Sequence, residues 1–173
     1  MISRKGFLIG FLLIAAAAFA GEVNSTIQAS TAAQAFSRLK SLAGTWEAET
    51  PMGKFQSVYE VVAGGSVLLE RVTGGQHASP MITAYHLDGD RLELTHYCEL
   101  GNQPRMTAKD INLNRGEIAF EFASAGNLAS LAAEHMHSAT LRLVDNDHFT
   151  ADWTLFDNAK PKLTMDLHYV RVK

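Results

Sequence analysis

From about residue 44 onward, apolar and polar residues alternate at every second position, in short runs broken by Gly, Asp, Asn and Pro. Trp46, Ala48 and Thr50 alternate with Thr45, Glu47 and Glu49, and Pro51-Met52-Gly53 then makes a turn. Phe55, Ser57, Tyr59 and Val61 alternate with Gln56, Val58 and Glu60. Gly64-Gly65 reads as a two-residue hairpin, with Ser66 to Thr73 as the return strand. Met81 to Leu87 and Arg91 to Cys98 flank the turn Asp88-Gly89-Asp90. Arg105 to Leu113 and Glu117 to Ala123 flank Asn114-Arg115-Gly116. Glu134 to Val144, His148 to Phe156 and Lys162 to Val172 complete the series. Between the last two groups, Leu128 to Ala133 reads as a helical turn in an irregular stretch.

The pattern before residue 44 is different. Ser30 can cap a helix, and Ala33, Phe36, Leu39 and Leu42 recur at helical spacing. Gly44 stands where such a helix should stop. About ten strands at roughly 10–12 residue spacing mean a sandwich or a barrel. No helix is long enough for a parallel crossover, so the sheet should be antiparallel throughout. The expected fold is all-β: an antiparallel up-and-down barrel of about ten strands, closed at one end by the short N-terminal helix.

Strand parity assigns faces. Leu92, Leu94, His96 and Cys98 share one face of their strand, and His135, His137, Ala139, Leu141 and Leu143 share one face of theirs. The leucines should point inward, so His96, Cys98, His135 and His137 are expected to line the interior. His86, on the face of Ile82 and Ala84, would join them, as would Trp46 and Tyr59. A buried imidazole needs a hydrogen-bond partner. The cluster therefore implies a ligand, an internal water network, or histidines bonded to Tyr, Ser, Thr and backbone groups. Two His at i, i+2 with a third across the barrel would also suit a transition metal such as zinc.

Gly101-Asn102-Gln103-Pro104-Arg105-Met106 is the other unusual segment. Arg105 could clamp a carboxylate or phosphate, with Gln103 beside it at a rim. The plainer reading is a turn, with Arg105 in a salt bridge. Other catalytic templates are poorly served. Ser66 lies in G-G-S-V-L rather than in a nucleophile elbow, and no phosphate-binding Gly loop precedes a helix.

Composition changes the picture at the N-terminus. Arg4 and Lys5 precede an apolar run from Phe7 to Ala17, and Ala18-Phe19-Ala20 offers small residues for cleavage before Gly21. Residues 1–20 read as a signal peptide, with an uncleaved anchor as the rival. Residues 21–29 read as a flexible lead-in and 30–173 as one domain. The formal charge is −3, or −5 once Arg4 and Lys5 are removed. That balance argues against nucleic acid, whose phosphates call for clustered Lys and Arg. After cleavage nothing suggests a membrane partner, and the expected address is periplasmic or secreted. Cys98 is the single cysteine, so no internal disulfide can form.

The helix followed by Gly44-Thr45-Trp46 and a run of antiparallel strands resembles the lipocalin-like (calycin) superfamily, from about Phe36 to Val172. The chain is most similar to exported bacterial lipocalin-like domains of uncharacterised function. The motifs that carry this are L-A-G-T-W, Y-H-L-D-G-D, L-T-H-Y-C, G-N-Q-P-R-M and H-M-H at 42–46, 85–90, 94–98, 101–106 and 135–137. A more distant resemblance is to nitrobindins, ten-stranded barrels whose ferric haem is held by a His on the last strand. His168 stands at the comparable place, but it falls with Thr164, Asp166 and Val170, opposite the apolar face of Leu163, Met165, Leu167 and Tyr169. It is therefore expected to point outward.

The resulting expectation is a small-molecule-binding barrel holding a polar or aromatic ligand. Contacts would come from Trp46, Tyr59, His86, His96, Cys98, His135 and His137, with Gln103 and Arg105 at a rim. The alternatives are a haem- or metal-binding barrel, a barrel enzyme with an interior His as general base, and a filled structural barrel.

Overall fold

The computed structural model describes residues 29–77 and 79–173; the expected signal peptide lies outside them. Helix α1 (Thr31–Leu39) runs into a 3₁₀ turn (Lys40–Leu42) and then ten strands. These are β1 (Gly44–Thr50), β2 (Gly53–Val62), β3 (Val67–Gly74), β4 (Met81–Asp88), β5 (Arg91–Tyr97), β6 (Gln103–Asn112), β7 (Glu117–Gly126), β8 (His135–Leu143), β9 (His148–Asp157) and β10 (Lys160–Arg171). Each strand pairs antiparallel with its sequence neighbours, and β1 pairs with β10 to close the barrel. Closure leaves the sheet no free edge. No helix among the described residues is long and apolar enough to cross a membrane.

The Ser30 side chain accepts a hydrogen bond from the Ala33 amide and caps α1. Ala32, Ala35, Phe36, Leu39 and Leu42 are its buried residues. They close the end of the barrel where β1 begins.

Gly44-Thr45-Trp46 locks that end. The Trp46 indole donates to the Leu42 carbonyl at 2.6 Å. The Arg171 guanidinium lies 4.0 Å over the Trp46 ring and donates to the carbonyls of Ser41 and Ala43. Gly44 has φ +131°, and a Cβ there would come within 2.8 Å of Arg171. The glycine is thus required by backbone conformation and by the close approach of Arg171. Phe149 then packs against Trp46, Tyr59 and Tyr169 in the core.

Two local expectations need correction. The β2–β3 connection is a four-residue loop, Ala63 to Ser66, because Val62 pairs with Val67. Residues 128–133 form turns and bends without a helix.

Candidate functional site

The end of the barrel opposite α1 is built differently. Strand β3 places Leu68, Glu70 and Val72 inward by simple alternation. Glu70 is therefore a carboxyl in the core, and hydroxyls surround it. The Ser57 hydroxyl donates to it at 2.8 Å and the Tyr85 hydroxyl at 3.2 Å. Tyr59 and Thr83 present their hydroxyls to the same group. Tyr169 extends the network by a 3.1 Å bond with Ser57. Burial pushes the Glu70 carboxyl above the usual range, and the donated hydrogen bonds oppose that rise.

Thr83 joins this cluster to His96, with its hydroxyl oxygen 3.0 Å from Nδ1 of the imidazole. Either the Thr83 hydroxyl or the protonated Nδ1 can be the donor in this bond. In the tautomer that carries its proton on Nδ1, the Nε2 lone pair is free. That nitrogen is buried and has no hydrogen-bond partner among the described residues. The His96 ring lies 5.1 Å from Trp153. Burial lowers its pKa to about 4, so the ring is neutral at neutral pH.

Glu70, Thr83, His96 and Tyr169 line an inner cavity of about 30 Å³, together with Trp153, Met81, Met136 and Met165. That is room for roughly two waters. An outer cavity of about 250 Å³ adjoins it. His77, Met81, Met136 and Met165 line both. Cys98, Leu155 and Leu163 belong to the outer cavity alone, and burial raises the Cys98 pKa and keeps it a thiol.

The residues expected to line the site are distributed as follows. His96 lies in the wall of the inner cavity and Cys98 in that of the outer. Tyr59 stands beside the Glu70 carboxyl, whereas Trp46 is at the opposite end, under the helix. His86 faces outward, because β4 buries Met81, Thr83 and Tyr85. Both faces of that strand carry apolar residues, and the Tyr85–Glu70 bond shows which is inside.

A β-bulge corrects β8. The register shifts between Met136 and Ser138, so Met136 lines both cavities while His135 and His137 line neither. The two histidines instead bond to each other at 3.0 Å. His135 Nδ1 donates to the Ala133 carbonyl, and the His137 ring stacks between Phe122 and Phe156. His96, His135 and His137 therefore do not assemble as a zinc site. Among the described residues no three His, Cys, Asp or Glu side chains are grouped to hold a metal.

Gln103 bonds back to the Gly101 carbonyl, and Arg105 is exposed on the outer wall rather than clamping the mouth. At the same turn Asn102 is buried and ties the mouth together through the Glu134 carbonyl. His168 is on the outer wall, 71% exposed and paired with Asp166. The last strand thus offers no inward histidine, and the residues present do not fit a haem held in the nitrobindin manner.

Glu70, His77 and the methionines were not among the sequence candidates. Parity did not place Glu70, because β3 carries Val67 and Leu69 on one face and Leu68 and Val72 on the other. No local signal brings Met81, Met136 and Met165, which lie on three strands, to one cavity.

The chain matches no family model and no curated protein. The closed ten-stranded antiparallel barrel is itself compatible with a calycin-like fold.

Proposed function

We propose that this is an exported lipocalin-like protein that takes a small molecule into the end of the barrel opposite the helix. The observation that carries this reading is the asymmetry of the interior. One end is plugged by α1 and packed aromatics, while the other holds a cavity of about 250 Å³ that adjoins an inner cavity where Glu70 and His96 stand among apolar side chains. Pockets for drug-sized ligands span ~300–1,000 Å³, so the ligand is smaller than these. Met52, Leu155 and Met165 suit a flat apolar or aromatic body, and His77 at the inner wall can meet a polar group. The thioethers adapt to the shape of such a ligand better than branched side chains would.

Native mass spectrometry of the purified mature protein, compared with its denatured mass, tests the reading. The expected result is a small non-covalent adduct that disappears on denaturation. Leu163→Trp, at the outer cavity, should reduce the adduct without changing the far-UV circular dichroism. Equal native and denatured masses, together with no thermal shift from a panel of small aromatic acids and alcohols, would overturn it.

A further inference from the structure

Sulfur is unevenly distributed in this barrel. Four of the six methionines, Met52, Met81, Met136 and Met165, line the two cavities of the open end, and the single cysteine joins them. Three of these methionines line the inner cavity, which His96, with its buried and unpartnered Nε2, also lines. We propose that the inner cavity is a site for one soft monovalent cation, Cu(I) by its chemistry, held by His96 Nε2 and the thioethers of Met81, Met136 and Met165.

Several features support this assignment. Thioether and imidazole are ligands that Cu(I) accepts and that hard cations such as Mg²⁺ and Ca²⁺ decline. All four donors are neutral, which disfavours burying a doubly charged ion. Glu70 is the one carboxyl in the cavity wall, and it can balance a single positive charge. Thr83 fixes the His96 ring through Nδ1, in the way an outer-shell partner orients a metal-bound imidazole. The volume of about 30 Å³ admits an ion and excludes an organic ligand. Cys98 and Met52, farther out, mark a soft-donor path from the mouth. The inference does not depend on what occupies the outer cavity.

The test is an anaerobic titration of the full mature protein with acetonitrile-stabilised Cu(I). It is followed by tryptophan emission, to which Trp153 beside His96 contributes, and by native mass spectrometry. The expected result is one copper per chain with quenched emission, and displacement by Ag(I), which mimics Cu(I) without redox chemistry. Zn(II) should neither bind at equal concentration nor quench. The double variant M136L/M165L preserves side-chain volume, so its fold is checked by its melting temperature. It should bind Cu(I) at least tenfold more weakly, whereas Cys98→Ser should leave the stoichiometry unchanged. Failure of the wild-type protein to take up Cu(I) would overturn the proposal. So would wild-type affinity in folded M136L/M165L, or loss of copper in C98S alone.

Discussion

The two ends of the barrel have the same strands and opposite interiors. At the helix end, Trp46, Phe149, Leu92 and Ile118 are almost completely buried, and Trp46 is held by its own hydrogen bond and by Arg171. At the other end, methionines, two histidines and a buried carboxyl stand around open space. The difference shows how one closed sheet separates stability from chemistry. Dispersion and apolar burial reward dense packing, so the plugged end carries the fold. The open end forgoes that packing, and it tolerates Glu70 and His96 only because hydroxyls from neighbouring strands satisfy the carboxyl and one ring nitrogen.

The largest expected effect tests the plugged end. Trp46→Ala should lower the unfolding free energy by about 3–5 kcal/mol, read from urea denaturation. Whatever fraction remains folded should bind open-end ligands with wild-type affinity. Lost binding in the folded fraction would show that the two ends are coupled.

A smaller effect should come from acid at the open end. Folded His96 stays neutral down to about pH 4, while an unfolded histidine takes up its proton near pH ~6.5. Stability contributed by this residue above pH 6.5 is therefore lost as the pH falls toward 4, by roughly 3 kcal/mol in the metal-free protein. Burial raises Glu70 and acts in the opposite sense, but His96→Gln retains Glu70. The difference between the wild-type and H96Q denaturation curves thus reports His96, and equal slopes would contradict its buried, neutral state.

The smallest effect is expected on the outer wall. Arg105→Ala should change stability by no more than about 0.5 kcal/mol and leave ligand uptake unaltered. A marked loss of uptake would place the mouth of the site at the Gln103–Arg105 strand after all.

Much of this architecture was legible from alternation alone. Strand positions, the antiparallel order and the helix cap at Ser30 all rest on local periods of two and 3.6 residues, which backbone geometry imposes directly. The inward position of His96 followed from Leu92 and Leu94 beside it. His135 is buried too, but neither it nor His137 lines a cavity. The bulge at residue 137 is a property of the β8–β9 pairing, and one extra residue changes which side chains meet the cavity. His86 was misplaced because Ile82 and Ala84 are as apolar as the true inner face, so parity there had no sign.

By itself, then, the sequence determined the antiparallel strands and the capped helix before them, which rest on periods that act over short distances, whereas closure rests on the pairing of β1 with β10. Only the tertiary structure decided the content of the open end. Glu70 comes from β3, Thr83 from β4, His96 from β5, Met136 from β8 and Met165 from β10. No spacing along the chain relates them. They meet because the closed barrel turns inward one face of every strand, and chemistry at that end is a sum over strands that are distant in sequence.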